Sequence, residues 1–185
     1  MSRDEPLFNV ASVKRRTMAL GPGARMVIWF QGCDIGCEGC CNPELQPLVP
    51  RHLVGLSELL EVAADSKGSL GIEGVTLIGG EPTMQRSLPE LARGIRGIGL
   101  GVILFTGREF SELDPELVEN VDTVIDGRFV SADRDHDRNL IGSRNQRIVN
   151  VTDRYSGSTW FTDRRCDFVE VDLDGDELVT NGSAF

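Results

Sequence analysis

No stretch of this 185-residue chain approaches the roughly 18 consecutive apolar residues that a membrane-spanning helix needs, so no span is expected. The first residues, Met1-Ser2-Arg3-Asp4-Glu5-Pro6, lack a basic end followed by a long apolar stretch, so no secretory or transit signal is read there and the expected location is the cytoplasm. Positive charge is short: 19 Lys and Arg against 29 Asp and Glu leave a formal charge of −10, without the basic stripe of a nucleic-acid binder. Histidine is scarce, and His52 and His136 have no metal-ligand spacing, which assigns both to the surface. There is no Walker loop, and Gly97-Ile98-Gly99-Leu100-Gly101 precedes a strand instead of following one, which excludes a dinucleotide fingerprint. Asp172, Asp174 and Asp176 lack the glycine position and glutamate of a calcium loop. Internal repeats and low-complexity segments are also missing.

What is present is enough chain for one domain that buries about 70% of its unfolded surface. Strands are expected at Leu7 to Val13, Met26 to Phe30, Gly74 to Ile78, Gly101 to Phe105 and Val121 to Ile125, with a further one at Ile148 to Val151. Between them lie helical patterns: Glu58 to Asp65 behind an N-cap at Ser57, Leu88 to Ile95, and one or two short helices over Phe110 to Asn120 with Pro115 at a helix start. Strands alternating with helices predict an α/β fold on a parallel sheet. Ser131 to Arg147 reads as a polar, irregular stretch, its run of Asp133, Asp135 and Asp137 with Arg134 and Arg138 as a solvated loop. Phe168 to Leu173 with Glu177 to Thr180 reads as a hairpin, expected to be an appendage.

Four of the five cysteines, Cys33, Cys37, Cys40 and Cys41, fall within nine residues. In a reducing compartment such a group points to a metal or cluster before a disulfide. Cys33, Cys37 and Cys40 form C-x3-C-x2-C on the loop that leaves a buried strand. Three thiolates on a four-iron cluster leave one iron open to bind a small molecule. A structural zinc site is the alternative, although adjacent Cys40 and Cys41 cannot easily both face one tetrahedral ion. One strand later comes Gly79-Gly80-Glu81-Pro82, at a carboxyl strand end, where ligands of parallel sheets bind. Glycines admit close backbone approach there, and a carboxylate accepts from an ammonium.

Together these two motifs resemble the radical S-adenosylmethionine superfamily. The resemblance implies a [4Fe–4S] cluster on Cys33, Cys37 and Cys40, with S-adenosylmethionine chelated to the open iron and its amino group held by Gly79, Gly80 and Glu81, the last orienting it. From about Asn9 to Val151 the chain further resembles the activating enzymes of anaerobic (class III) ribonucleotide reductase. That likeness rests on Gly21-Pro22-Gly23-Ala24-Arg25, Glu38-Gly39-Cys40-Cys41-Asn42, Thr106-Gly107 with Phe110-Ser111-Glu112-Leu113, Asp126-Gly127-Arg128-Phe129 and Gly142-Ser143-Arg144-Asn145-Gln146-Arg147. It implies a small incomplete (open) α/β barrel that installs a glycyl radical on a large partner, fed by a low-potential donor such as a flavodoxin or ferredoxin. The expected organisation is a single domain, 1–185, with a core over about 9–151 and a C-terminal extension over about 152–185.

Cys41 stands where such activases commonly carry an aromatic residue or His, and the chain continues past the Asn-Gln-Arg segment. Two alternatives therefore stand beside glycyl-radical activation: radical modification or epimerisation of a peptide or small metabolite, and a zinc-stabilised binding module. Thr106, Asp126 and Asn145 sit where cofactor contacts could arise. Cys166 reads as a small, partly buried residue or as the hydrogen donor that an epimerase needs.

Overall fold

The computed structural model describes residues 5–163, 169–174 and 177–182. Its backbone is a seven-stranded sheet that does not close. In chain order the strands are β1 (Leu7–Thr17), β2 (Arg25–Phe30), β3 (His52–Gly55), β4 (Gly74–Gly79), β5 (Gly101–Phe105), β6 (Thr123–Asp126) and β7 (Arg147–Asn150), and across the sheet they run β3-β1-β2-β4-β5-β6-β7. Strands β2, β4, β5 and β6 are parallel; β1 on one side and β7 on the other run antiparallel to them, and β3 pairs antiparallel with β1. The expected open α/β barrel is therefore present as a mixed, open sheet. Its central strands read as nearly continuous apolar runs because both of their faces are covered.

One face is covered by α1 (Leu56–Leu70), α2 (Leu88–Gly97) and α3 (Pro115–Val118). Leu59 and Ala63 of α1, Leu91, Ala92 and Ile95 of α2, and Leu117 of α3 pack on alternate strand residues Met26, Ile28, Phe30, Val75, Leu77, Val102, Leu104 and Val124. On the other face Ile103 and Ile125 meet Ile141 and Phe161, flanked by Phe105, Ile148, Tyr155 and Trp160. Residues 152–163 thus lie against the sheet and cover part of its second face.

Several expectations change. Ser57 does not cap α1: it is the second residue of that helix, Gly55 occupies the cap position, and the Ser57 N–H donates to the Glu5 carboxylate. Strand β3, too short to carry a periodic signal, pairs with β1 at the sheet margin. Asp135 is buried instead of solvated. Its Oδ1 accepts from the N–H groups of Asp137 and Arg138 (2.8 Å each) and its Oδ2 from Arg138 Nε at 2.7 Å. The polar stretch is ordered around that carboxylate, because a side chain that satisfies local N–H groups can replace regular backbone pairing. The expected hairpin exists as β8 (Val169–Asp174) paired with β9 (Glu177–Gly182). It is tied down as well as appended: the Glu170 carboxylate accepts from Thr17 Oγ1 and the Met18 N–H (2.8 Å) and pairs with Lys14 at 3.0 Å.

Candidate iron–sulfur site

Register sets the site. Arg25 pairs with Gly74 and Gly101 lies opposite Gly74, so the parallel strands start level and finish level, at Phe30, Gly79, Phe105 and Asp126. Four loops therefore leave one edge side by side: Gln31 to Cys33, Gly80 to Glu81, Thr106 to Arg108, and Gly127 to Arg128.

The cysteine loop is stitched at its stem. Gly32 N–H donates to Leu45 O (2.8 Å) and Cys33 N–H to Gln46 O (3.0 Å), while the Gln31 amide Nε2 spans to Pro47 O at 2.9 Å. The Gln31 Oε1 is buried and finds no hydrogen-bond partner among the described residues. Beyond the stem, Gly36 and Gly39 turn the chain through left-handed φ values of 61° and 70° between the cysteines. Cys33, Cys37 and Cys40 are free thiols of intermediate exposure, and Cys41 beside them is exposed. Among the described residues no three His, Cys, Asp or Glu side chains gather around one metal ion. A cubane cluster asks something different of its ligands, since each thiolate binds its own iron and the sulfurs need not converge on a point. The donor set, three thiols free of disulfides on one glycine-turned loop, with Cys40 Sγ accepting from the Asn42 N–H at 3.4 Å, fits that group.

The Gly79 to Pro82 segment is bound to the same stem. Gly80 N–H donates to Phe30 O (2.8 Å) and Glu81 N–H to Gly32 O (2.9 Å). A Cβ on Gly80 would lie 2.2 Å from Gly32 O, so no other residue permits this approach. Glu81 is 1% exposed. Its Oε1 accepts from Thr83 N–H (3.0 Å), the Thr83 hydroxyl (2.7 Å) and the Thr106 hydroxyl (2.8 Å), and its Oε2 from Gly107 N–H at 2.9 Å. The carboxylate therefore ties the loop after β4 to the loop after β5.

Of the other expected site residues, Thr106 is brought to Glu81. Asp126 sits fully buried at the end of β6, accepting from Phe110 N–H (2.7 Å), from Arg147 Nε (3.0 Å) and from Arg147 Nη2. Burial pushes its carboxyl up, but the hydrogen bonds of Arg147 and Phe110 outweigh this and hold it below the usual aspartate range. Asn145 is exposed on the same edge, its Nδ2 donating to Arg128 O at 2.8 Å. His52 and His136 are exposed. Cys166 lies outside the described residues.

Sequence reasoning overlooked Asp34 and Arg108. Arg108 Nη2 reaches both oxygens of Asp34, at 2.8 and 2.6 Å, and joins the cysteine loop to the loop after β5. The available signal was the position of Asp34 inside the cysteine spacing and of Arg108 two residues after Thr106.

Three thiols on one loop, joined to the glycine and carboxylate loops at the carboxyl edge of parallel strands, fit an iron–sulfur protein. Residues 19–149 match the family described as a 4Fe-4S single cluster domain, and the chain belongs to that family. Over 145 residues, covering 72% of this chain and 88% of the relative, it is 30% identical to the anaerobic ribonucleoside-triphosphate reductase-activating protein of Enterobacteria phage T4. It is 28% identical to the protein of the same description from Vibrio cholerae (71% of this chain, 91% of the relative). Identity to the pyruvate formate-lyase-activating enzyme of Listeria monocytogenes is 27%, over 66% of this chain and 50% of that enzyme. The chain is thus a member of the radical S-adenosylmethionine superfamily, in the neighbourhood of the glycyl-radical activating enzymes. Among the described residues no helix is long and apolar enough to cross a membrane.

Proposed function

We propose that this chain is a cytoplasmic enzyme that cleaves S-adenosylmethionine reductively and uses the resulting radical to activate an anaerobic ribonucleotide reductase or a similar glycyl-radical partner. Cys33, Cys37 and Cys40 would hold a [4Fe–4S] cluster, which when bound would supply the electron for cleavage of S-adenosylmethionine to methionine and a 5′-deoxyadenosyl radical. The observation that carries the proposal is the joining of the cysteine loop to Gly79–Pro82 through the Glu81 N–H to Gly32 O, with Gly80 N–H donating to Phe30 O at the end of β2.

The residues divide the work. Gly80 lets the two loops meet, and Glu81 holds the β5 loop while Oε2, with one hydrogen bond, keeps a lone pair for the cofactor ammonium. Thr106 fixes Oε1 through its hydroxyl, and its Oγ1 also receives Arg108 N–H at 3.0 Å. Asp126 is committed to Arg147 of β7 and to the Phe110 N–H, so it has little capacity left for a ribose. The relatives' descriptions support a glycyl radical enzyme as partner; a flavodoxin or ferredoxin is the class of protein that supplies low-potential electrons.

Anaerobic reconstitution with iron and sulfide, then dithionite and S-adenosylmethionine, tests this. A reduced-cubane EPR signal altered by S-adenosylmethionine, with 5′-deoxyadenosine formed, is expected, followed by a glycyl-radical doublet on an added anaerobic reductase. Absence of both cluster and deoxyadenosine overturns it; deoxyadenosine without the doublet redirects the chemistry to a peptide or small metabolite.

A further inference from the structure

Each of the three residues between Cys33 and Cys37 is gripped from outside the loop. Asp34 is held by Arg108 Nη2. Ile35 lies over Gly107, where an added Cβ would come within 2.5 Å of the Ile35 Cδ1. The Gly36 carbonyl accepts from Arg128 Nη2 at 3.2 Å. The next spacer is covered too: Gly39 sits beside Ser131 and Phe129, and Arg134 lies over the Phe129 ring at 5.6 Å.

The grips have firm foundations. The backbone of Arg108 is fixed at both ends, its N–H to Thr106 Oγ1 and its carbonyl to Gly127 N–H at 3.0 Å, and Thr106 is itself held by buried Glu81. The Arg128 carbonyl is capped by Asn145. An exposed ion pair on two free side chains contributes little, but here one partner projects from a backbone already ordered by buried bonds, so less entropy opposes the contact.

We propose that the loops after β5 and β6 form a preformed cradle for the iron–sulfur loop, with Arg108 and Arg128 as its positioning residues, so that the Cys33–Cys37 span is ordered before metal arrives. The proposal rests on Cys33, Cys37 and Cys40 as cluster ligands, but the contacts of the cradle are made by the chain alone. Glu81, Thr106 and Gly107 then serve the cluster indirectly, by presenting Arg108.

Hydrogen–deuterium exchange on the metal-free, full-length protein reads the ordering directly, and the rate of iron uptake during reconstitution reads its consequence. In Arg108→Gln the peptides spanning Cys33 to Cys40 exchange about five-fold faster, as far as loss of one exposed ion pair moves a local opening. Arg108→Gln with Arg128→Gln exchanges faster still and takes up iron more slowly. Arg108→Lys and the exchanged pair Asp34→Arg with Arg108→Asp return exchange to within about two-fold of the parent, because the charge contact is restored. Exchange in the double variant equal to the parent, with far-UV circular dichroism unchanged, overturns the cradle. So does fast exchange that neither restoring variant slows. If the parent itself takes up no iron, the cluster assignment falls while the exchange rates still decide the cradle.

Discussion

The two edges of the parallel sheet are built from the same four strands and finish differently. At the amino edge Arg25 is fully buried. Its guanidinium donates to Thr76 Oγ1 (2.8 Å), Val75 O (2.8 Å), Gly101 O (3.3 Å), Pro22 O (3.1 Å) and the Tyr155 hydroxyl (2.8 Å), and it lies 5.1 Å from the Tyr155 ring centre. Burial pulls its pKa down, opposed mainly by Tyr155. Every donor direction is spent on the chain, so that edge is a plug. At the carboxyl edge the buried carboxylate of Glu81 accepts three hydrogen bonds on Oε1 and one on Oε2, and the loop joined to it carries partly exposed thiols. One end is closed by an inward-facing cation; the other uses an inward-facing anion to hold open loops in place.

The largest expected effect separates the edges cleanly. Cys33→Ala, Cys37→Ala or Cys40→Ala each removes one of three partly exposed thiols that form no disulfide. Iron content and 5′-deoxyadenosine formation are expected to fall to background while the thermal melting of the metal-free protein barely moves. Retained cleavage in all three variants would falsify the ligand assignment.

At the opposite edge the effects should invert. Arg25→Met leaves buried carbonyls and two hydroxyls without their donor, an expected loss of about 3–5 kcal/mol, or a melting temperature lower by roughly 10 °C for a chain of this size. The melting curve checks this. Full stability in the variant would mean that water replaces the guanidinium.

Glu81→Gln is intermediate and belongs to both categories. An amide presents an N–H₂ group either to Gly107 N–H or to the threonine donors, so one hydrogen bond becomes a repulsion at an expected cost of about 1–3 kcal/mol. Loss of S-adenosylmethionine cleavage with the cluster spectrum intact would assign Glu81 a direct hold on the cofactor. Loss of cluster uptake in proportion to cleavage would assign it to presentation of the loops.

How much of this was legible depends on scale. β2, β4 and β5 show in the sequence because parallel strands buried on both faces need unbroken apolar runs, and the cysteine spacing shows because three thiols carried by one loop stand close together in the chain. β3 was illegible: four residues, His52–Gly55, acquire strand character only from pairing with β1. Glu81 could be read as a site residue, but its hydrogen bonds to Thr106 and Gly107 cross 25 and 26 residues of chain. Asp135 looked solvated in a run of charges because nothing local signals that Arg138 folds back onto it. Arg25 gave a motif residue without a role, since its burial depends on Tyr155, 130 positions away.

Acid exposes a further contrast. Asp126 is held below the ordinary aspartate range despite its burial, and Asp135 is depressed in the same sense by the Arg138 contacts. A carboxyl with a lowered folded pKa contributes stability that is complete above the unfolded value and is lost as pH falls through the folded one. The stability these two carboxyls contribute should therefore start to fall as pH drops through the ordinary aspartate range and be gone below their depressed folded values, and Asp126→Asn should flatten that limb of the stability–pH profile. An unchanged limb would place the acid sensitivity elsewhere.

The smallest effect is the sharpest test of independence between the edges. Tyr155→Phe removes only the hydroxyl that accepts from Arg25 Nη1 and keeps the ring beneath the guanidinium. One net hydrogen bond is worth about 1 kcal/mol, and the melting temperature should drop by roughly 2–4 °C. The strands between Arg25 and Phe30 put about 16 Å between that hydroxyl and the cysteine loop, beyond the range over which substitutions normally couple. Iron uptake and deoxyadenosine yield should thus be unchanged; a drop in either would mean that strain at the plug reaches the cluster loop through β2.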